Sequence, residues 1–320
     1  TSSCMESSRR LGGARGVVGR EEWLSRKLFC EELLNKYSRF HPNVNVVKLA
    51  VAKTDGKDRL VSINSVDATV VAPYHRVLYD HISDQSWCLR GEAKSSRFAD
   101  FVSADGEVFV SGDYESATDN LSVDVARHIL DEVSSRCTRV PYAVRNAGRR
   151  LLSCELRYRD RSVVVRRGQL MGNFLSFPLL CLQNYLAFKF LVRRDVPVLI
   201  NGDDIVFRAT LAEFARWRDG VLACGLKLSL GKTGVSNRWF SLNSTFFVCG
   251  TKHVRLAPVI RSTVLFKPLE CPSALSGRLG TFRGFSIAQR DRLASYVLRK
   301  VSGRVWWSQR SLRRGWGVQV

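Results

Sequence analysis

The chain has 320 residues, 45% of them hydrophobic, enough to bury a full core in one large domain or two or three subdomains, which excludes a disordered tail. Its 50 Lys and Arg against 29 Asp and Glu leave a net charge of +21, a field that attracts polyanions and makes nucleic acid the leading partner; charge alone does not separate an enzyme from a basic binding protein. The 9 cysteines form no C-x-x-C pair, which argues against a zinc site or a compact disulfide framework and fits a reducing, intracellular compartment.

The first residues, TSSCMESSRRLGGARG, contain no apolar core and so are no secretory signal. Rich in Arg, Ser and Gly and poor in acid, they lean weakly toward a transit peptide and are read as a truncated end. Helix is expected over Glu21 to Tyr37, where Trp23, Leu24, Leu28, Leu33 and Leu34 recur at helical spacing. Two strands follow, Val44 to Lys53 and Arg59 to Ile63, joined by the turn TDGKD. Glu107 to Ser111 is a short strand ending at Gly112, and Ser122 to Ser135 a helix with Val125, Ile129 and Val133 on one face. Arg157 to Arg166 is expected as a strand. Phe174 to Val192 approaches membrane-spanning length, but Pro178, Gln183, Asn184 and Lys189 within it point to a buried helix and against membrane insertion. Val196 to Ile200 and Ile205 to Arg208 form a hairpin whose turn is Asn201, Gly202, Asp203 and Asp204. Helix returns over Leu211 to Ala223, a second hairpin spans Ser244 to Leu256 with Gly250 at its bend, and the tail is mixed and strongly basic.

By itself Asn-Gly-Asp-Asp is turn chemistry. A second carboxylate site changes the weighing, because VFVSGDYESATDN sets Asp113 just beyond a short strand, where it can meet the hairpin tip if the two strands are neighbours. Carboxylates that converge repel unless cations lie between them. Two Mg²⁺ ions about 4 Å apart, clamping the phosphoryl oxygens of an in-line displacement, need such an arrangement.

In order and spacing, SGDYESATDN, GQLMGNFLSFPLLCLQNYLAF, NGDDIVF and LGKTGVSNRWFSLNSTFF resemble motifs A to E of viral RNA-dependent RNA polymerases, in particular those of the ourmia-like mycoviruses (botourmiaviruses) in the narnavirus and levivirus lineage. The resemblance spans Lys48 to Leu256. It implies an α+β right-hand polymerase with a ferredoxin-like palm. Fingers are expected over 1–106, motif A of the palm over 107–125, a fingers insertion with a palm helix over 126–165, the palm with motifs B to E over 166–256, and a reduced thumb with a basic C-terminal region over 257–320.

By the same resemblance Asp113, Asp203 and Asp204 bind two Mg²⁺ ions, with Mn²⁺ able to substitute. Asp119 contacts the ribose of the incoming nucleotide; it also precedes the helix from Ser122 as a cap would. The turn at Gly168 and Met171-Gly172-Asn173 opens motif B, and the spacing from Gly172 places Ser176 near the sugar. The Asn that many positive-strand polymerases carry one turn later falls at Leu180, which leaves Asn184 as its substitute or as a satisfied core residue. Lys232 matches the motif D lysine that protonates departing pyrophosphate, with Lys227 a rival. Lys53, Lys57 and Arg59 resemble motif F, which meets the triphosphate, and Arg59 is favoured because a guanidinium grips phosphate bidentately. Arg90, Lys94 and Arg97 in SWCLRGEAKSSRF are expected to contact the RNA backbone. The tail RKVSGRVWWSQRSLRRGWG suits RNA stacking, or else a surface helix with Trp306 and Trp307 packed inward.

The resemblance thus implies RNA-templated RNA synthesis for a positive-strand virus in the host cytoplasm, with RNA template, RNA product and ribonucleoside triphosphates as partners. Reverse transcriptases share the paired Asp but usually carry an aromatic-x-Asp-Asp signature, with an aromatic residue in place of Asn201. A non-catalytic RNA-binding remnant of an integrated viral polymerase is the alternative of another class, and the intact Asp113, Asp203 and Asp204 argue against it.

Overall fold

A computed structural model describes residues 3–18, 31, 46–54, 57–250, 253–260, 262–269 and 273–307. The expected helix over Glu21 to Tyr37 falls almost wholly outside the described residues, as do the side chains of Lys53, Lys57, Trp306 and Trp307. The chain divides into two compact units: residues 1–91 with 110–233, and residues 92–109 with 234–320.

In the first unit the elements run α1 (Gly13–Val18), β1 (Val46–Thr54), β2 (Lys57–Asn64), α2 (Ala72–Ser83), β3 (Glu107–Gly112), α3 (Ala117–Asn120), α4 (Val123–Arg136), α5 (Tyr142–Leu151), β4 (Glu155–Tyr158), β5 (Arg161–Val164), α6 (Ser176–Leu191), β6 (Val198–Asn201), β7 (Asp204–Thr210) and α7 (Leu211–Gly220). The chain passes between the units within β3. One sheet has the order β2-β1-β4-β5, with β1 and β2 antiparallel and β1 and β4 parallel. The expected single strand over Arg157 to Arg166 is instead the β4–β5 hairpin, closed by the pair Tyr158 and Arg161, with Arg159 at φ 54° in its turn. In a second sheet β7 lies between β6 and β3.

Two of the helices begin where side chains satisfy otherwise orphaned amides. Ser122 caps α4, its hydroxyl accepting from Val125 N at 3.3 Å, and Thr210 and Glu213 form a reciprocal capping box on α7. The expected helix to Ala223 ends at Gly220 and tightens into a 3₁₀ turn over Val221–Cys224. Helix α6 carries Pro178 in its first turn, where no intrahelical donor is lost, and buries Leu179, Leu180, Cys181, Gln183, Asn184, Ala187, Phe188 and Leu191. It is the buried helix expected, and among the described residues no helix is long and apolar enough to cross a membrane. Phe188, Phe207 and Trp217 pack in series, tilted and then edge to face, their centroids 5.0 Å apart at each step, and join α6, β7 and α7 into one core. Burying side chains of this size stabilises by about 1.5–3 kcal/mol each.

The second unit holds β8 (Gly234–Ser236), β9 (Trp239–Leu242), β10 (Thr245–Cys249), β11 (Val254–Leu256), α8 (Ser262–Phe266), α9 (Ser273–Gly280) and α10 (Ile287–Trp307). The order β11-β10-β9 makes an antiparallel sheet, and its β10–β11 pair is the second expected hairpin. Phe98, Phe101, Phe109, Phe240 and Phe247 form one aromatic cluster, and Val264, Leu269, Leu275, Phe282, Val297 and Val301 form another core. The division departs from the expected boundaries, because residues 234–256 and 92–109 group with the C-terminal helices.

Candidate active site

The β6–β7 hairpin closes at the pair Asn201 and Asp204, so Gly202 and Asp203 alone make the turn. Gly202 has φ +65° while Asp203 is not among the positive-φ residues, the pattern of a type II′ turn with glycine at its first central position. A Cβ at Gly202 would also lie 3.0 Å from the Phe177 ring. Helix α6 grips the turn from the buried side. Gly202 N–H donates to Cys181 Sγ (3.2 Å), and Asn184 Nδ2 donates to Gly202 O (3.0 Å).

Asp113 follows β3 directly, and the segment from Lys227 to Ser229 runs beside it. Glu115 N donates to Lys227 O at 2.7 Å and Ser229 N to Asp113 O at 2.8 Å, with Tyr114 and Leu228 bridged in antiparallel fashion. A tight turn then folds back, Lys232 N bonding to Ser229 O at 3.1 Å, and brings Lys232 Nζ to 3.4 Å from Asp113 Oδ1. Lys227, the rival, is committed to Glu115 at 2.6 Å.

Asp203 is open to solvent at its tip yet densely surrounded, and burial first, then the charge of Asp113, raise its carboxyl above the ordinary aspartate value; Arg59 and Lys232 oppose that rise. Asp113, Arg59 and Lys232 therefore all act on Asp203, and Lys232 also pairs with Asp113. Among the described residues no group of three His, Cys, Asp or Glu is close enough to share an ion, so the three expected aspartates do not converge on one point. Asp204 opens β7 half-buried, on the opposite strand face from Ile205. Mg²⁺ typically takes one or two carboxylates and fills its octahedron with water and substrate phosphates. Two facing carboxylates, one with a disfavoured charge, fit that donor set.

The loop leading into α6 is laced to its neighbours by main chain. Gly168 N donates to Leu121 O (2.7 Å) and Gln169 N to Thr118 O (2.5 Å), tying it to the segment that carries Asp119. On its other side Ser62 N and Oγ both donate to Met171 O (2.6 and 2.9 Å), and Asn64 Nδ2 donates to Gly172 O (2.8 Å). Gly172, at φ +104°, sits so close to β2 that a Cβ would lie 2.2 Å from Ser62 O. Asp119 is exposed; Ser122, not Asp119, caps α4, and among the described residues no partner holds the Asp119 carboxylate. The Ser176 hydroxyl is buried with no hydrogen-bond partner among the described residues. Asn184 is fully buried, its amide shared between Gly202 O and the Tyr114 hydroxyl, which places it beneath the turn and away from the surface.

Of the expected basic contacts, Arg59 is exposed on β2 and acts on Asp203. Lys53 and Lys57 lie outside the described side chains. Arg90 is exposed but engaged, paired with Asp80 and 4.7 Å over the Tyr79 ring. Lys94 and Arg97 are exposed in the other unit, where Lys94 lines a cavity of about 610 Å³ with Ser244, Thr245 and Arg283. Two participants escaped sequence reasoning, Tyr114 and Cys181. Their only sequence signal is adjacency to Asp113 and helical spacing from Asn184.

No family model matches the chain. Its sequence is 27% identical, over 65% of its length, to the RNA-dependent RNA polymerase of Ourmia melon virus (isolate Melon/Iran/VE9). The chain is a distant relative of that polymerase. It spans 29% of the length of this relative. The mixed helices and antiparallel sheets fit an α+β relative of the polymerase.

Proposed function

We propose that this chain is the catalytic portion of an RNA-dependent RNA polymerase that copies the genome of a positive-strand RNA virus in the host cytoplasm. The observation that carries the reading is the meeting of Asp113, Asp203, Arg59 and Lys232 at the tip of the Asn201–Asp204 turn in a relative of a viral polymerase. In this reading the sheet containing β3, β6 and β7, with α4 and α6, is the palm; β1, β2 and the segment around Arg90 belong to the fingers; and the C-terminal helices are a reduced thumb.

Asp113 and Asp203, with Asp204 beside them, would hold two Mg²⁺ ions, which when bound activate the primer 3′-hydroxyl and neutralise charge on the transferring phosphoryl group. Arg59 orients the triphosphate through a bidentate grip, aided by Lys53 and Lys57. Lys232 delivers a proton to the departing pyrophosphate, from a position already within reach of Asp113. The exposed Asp119 carboxylate hydrogen-bonds the ribose, so that a sugar without its 2′-hydroxyl leaves it unpaired, and the buried Ser176 hydroxyl joins it only if the loop before α6 opens toward the sugar. The RNA backbone is held by distributed basic side chains, Arg90, Lys94 and Arg97 among them.

Primer extension on an RNA template with Mg²⁺, ribonucleotides in one arm and deoxyribonucleotides in the other, tests the reading. Ribonucleotide addition that disappears in Asp203→Asn is expected. Extension with deoxyribonucleotides alone makes the chain a reverse transcriptase, and RNA binding without extension in either arm makes it a binding protein.

A further inference from the structure

The two residues adjacent to the paired carboxylates are joined to each other by a single side chain. Tyr114 follows Asp113, and Gly202 precedes Asp203. The Tyr114 hydroxyl donates to Asn184 Oδ1 at 2.9 Å, and Asn184 Nδ2 donates to Gly202 O at 3.0 Å. The chain of contacts is dry, with Asn184 at 0% and Tyr114 at 3% exposure. The other polar atom of Gly202, its N–H, is held one helical turn away by Cys181 at 3.2 Å.

We infer that Asn184 is a positioning residue: through Tyr114 on one side and Gly202 on the other it fixes the separation of Asp113 and Asp203. The consequence for catalysis rests on the polymerase reading above; the geometry does not. Only a primary amide of this length donates and accepts at once across the gap. An ionised Asp at 184 would accept from Tyr114 but offer nothing to Gly202 O, and would add a third negative charge beneath the turn. Leu would leave both partners buried and unpaired. Asp113 and Asp203 repel at the ends of strands that the β3–β7 pairing already joins, and Asn184 adds a tie beyond the last rung of that ladder, where the two carboxylates sit. Constellations that bind cations lose function with displacements of about 0.5 Å.

The test uses the full chain with Tyr114→Phe, which deletes one buried oxygen and little else, and Asn184→Ala. Tyr74→Phe serves as control: it removes a hydroxyl equally buried in the same unit, bonded to Ser134 at 2.6 Å and outside the proposed site. Three quantities are read: the Mn²⁺ dissociation constant of RNA-free protein by electron paramagnetic resonance, amide exchange of the peptide spanning 198–207, and kcat and KM in primer extension. Loss of one buried hydrogen bond is expected to weaken Mn²⁺ binding and lower kcat about 2- to 10-fold in Tyr114→Phe, with nucleotide KM unchanged and turn exchange faster. Asn184→Ala should exceed it, and Tyr74→Phe should move neither Mn²⁺ affinity nor turn exchange. Tyr114→Phe with parental Mn²⁺ affinity and parental turn exchange overturns the inference even if Asn184→Ala misfolds. A parent chain that extends no primer refutes the polymerase reading instead, and the turn exchange then decides the brace by itself.

Discussion

Replacing Gly172 with Ala should unlatch the loop that enters α6. The added Cβ would meet Ser62 O at 2.2 Å, a main-chain atom that cannot rotate aside, in a residue already at φ +104°. Keeping the loop in place costs about 1–3 kcal/mol for the backbone conformation and about 1–3 kcal/mol for the overpacked contact. Releasing it forfeits the bonds from Ser62 N, Ser62 Oγ and Asn64 Nδ2, at about 0.5–1.5 kcal/mol each, or about 1.5–4.5 kcal/mol together. The cheaper route sets the ceiling, so a loss of about 2–4 kcal/mol is expected from these two ledgers. Urea denaturation measures the total, and amide exchange over 60–66 and 169–176 tells the routes apart: faster exchange in both peptides means release, unchanged exchange with lower stability means retained strain. Gly231→Ala is the counterpart, with nothing within 4 Å of its Cβ, and should stay within about 0.5 kcal/mol of the parent. Gly172→Ala with parental stability and exchange would refute the close approach of loop and strand.

Asp203→Asn should abolish nucleotide addition, leave RNA binding largely intact and raise stability near neutral pH. Because burial and Asp113 raise the folded pKa of Asp203, its penalty is absent below the unfolded value and grows as pH rises through the folded one; the stability gain should vanish in acid, and a gain that persists there counts against the assignment. Lys232→Ala should slow single-nucleotide incorporation by about 10²- to 10⁴-fold without eliminating it, whereas Lys227→Ala should leave that rate within a few-fold of the parent. Asp119→Ala should reduce kcat/KM for ribonucleotides far more than for deoxyribonucleotides, and equal losses would remove it from sugar selection. Affinity for single-stranded RNA should fall steeply with added salt and vary little with sequence; a flat salt dependence would mean that the +21 charge does not face RNA.

The hairpin around Asp203 and the strand before Asp113 were legible because they rest on local signals: β-branched runs, an Asn-Gly turn and carboxylates at strand ends. Asn184 shows where such reading stops. Four residues after Leu180, it lies on the face of α6 that meets the turn, as the spacing implies; a Cβ at Gly202 would lie 3.7 Å from Leu180. Helical periodicity fixes rotation about the axis but not depth, and the depth at which Tyr114 crosses the helix turns a candidate sugar contact into a buried brace. The β4–β5 hairpin was hidden for another reason. Its turn residues, Arg159 and Asp160, are charged like their flanks, so composition marks no break. Asp119 is the converse case, since either a cap or a ligand suits its sequence position, and only the bond from Val125 N to Ser122 assigns the cap elsewhere.

The outer edge of β6 is covered from far away in sequence. Leu89 N donates to Ile200 O and Ile200 N to Trp87 O, each at 2.8 Å, while Asn201 Nδ2 reaches Leu89 O at 2.7 Å and Trp87 stacks on Tyr185 at 4.1 Å. The hairpin beside it closes early, on microseconds, because its partners are adjacent. Its cover must wait for a loop of more than 100 residues to shut, and until then an apolar strand edge stands open to a second nascent chain. Crowding of half-folded copies during synthesis is therefore the hazard written into this topology, and a chain deprived of residues 87–89 should fail by intermolecular strand pairing before it fails by loss of chemistry.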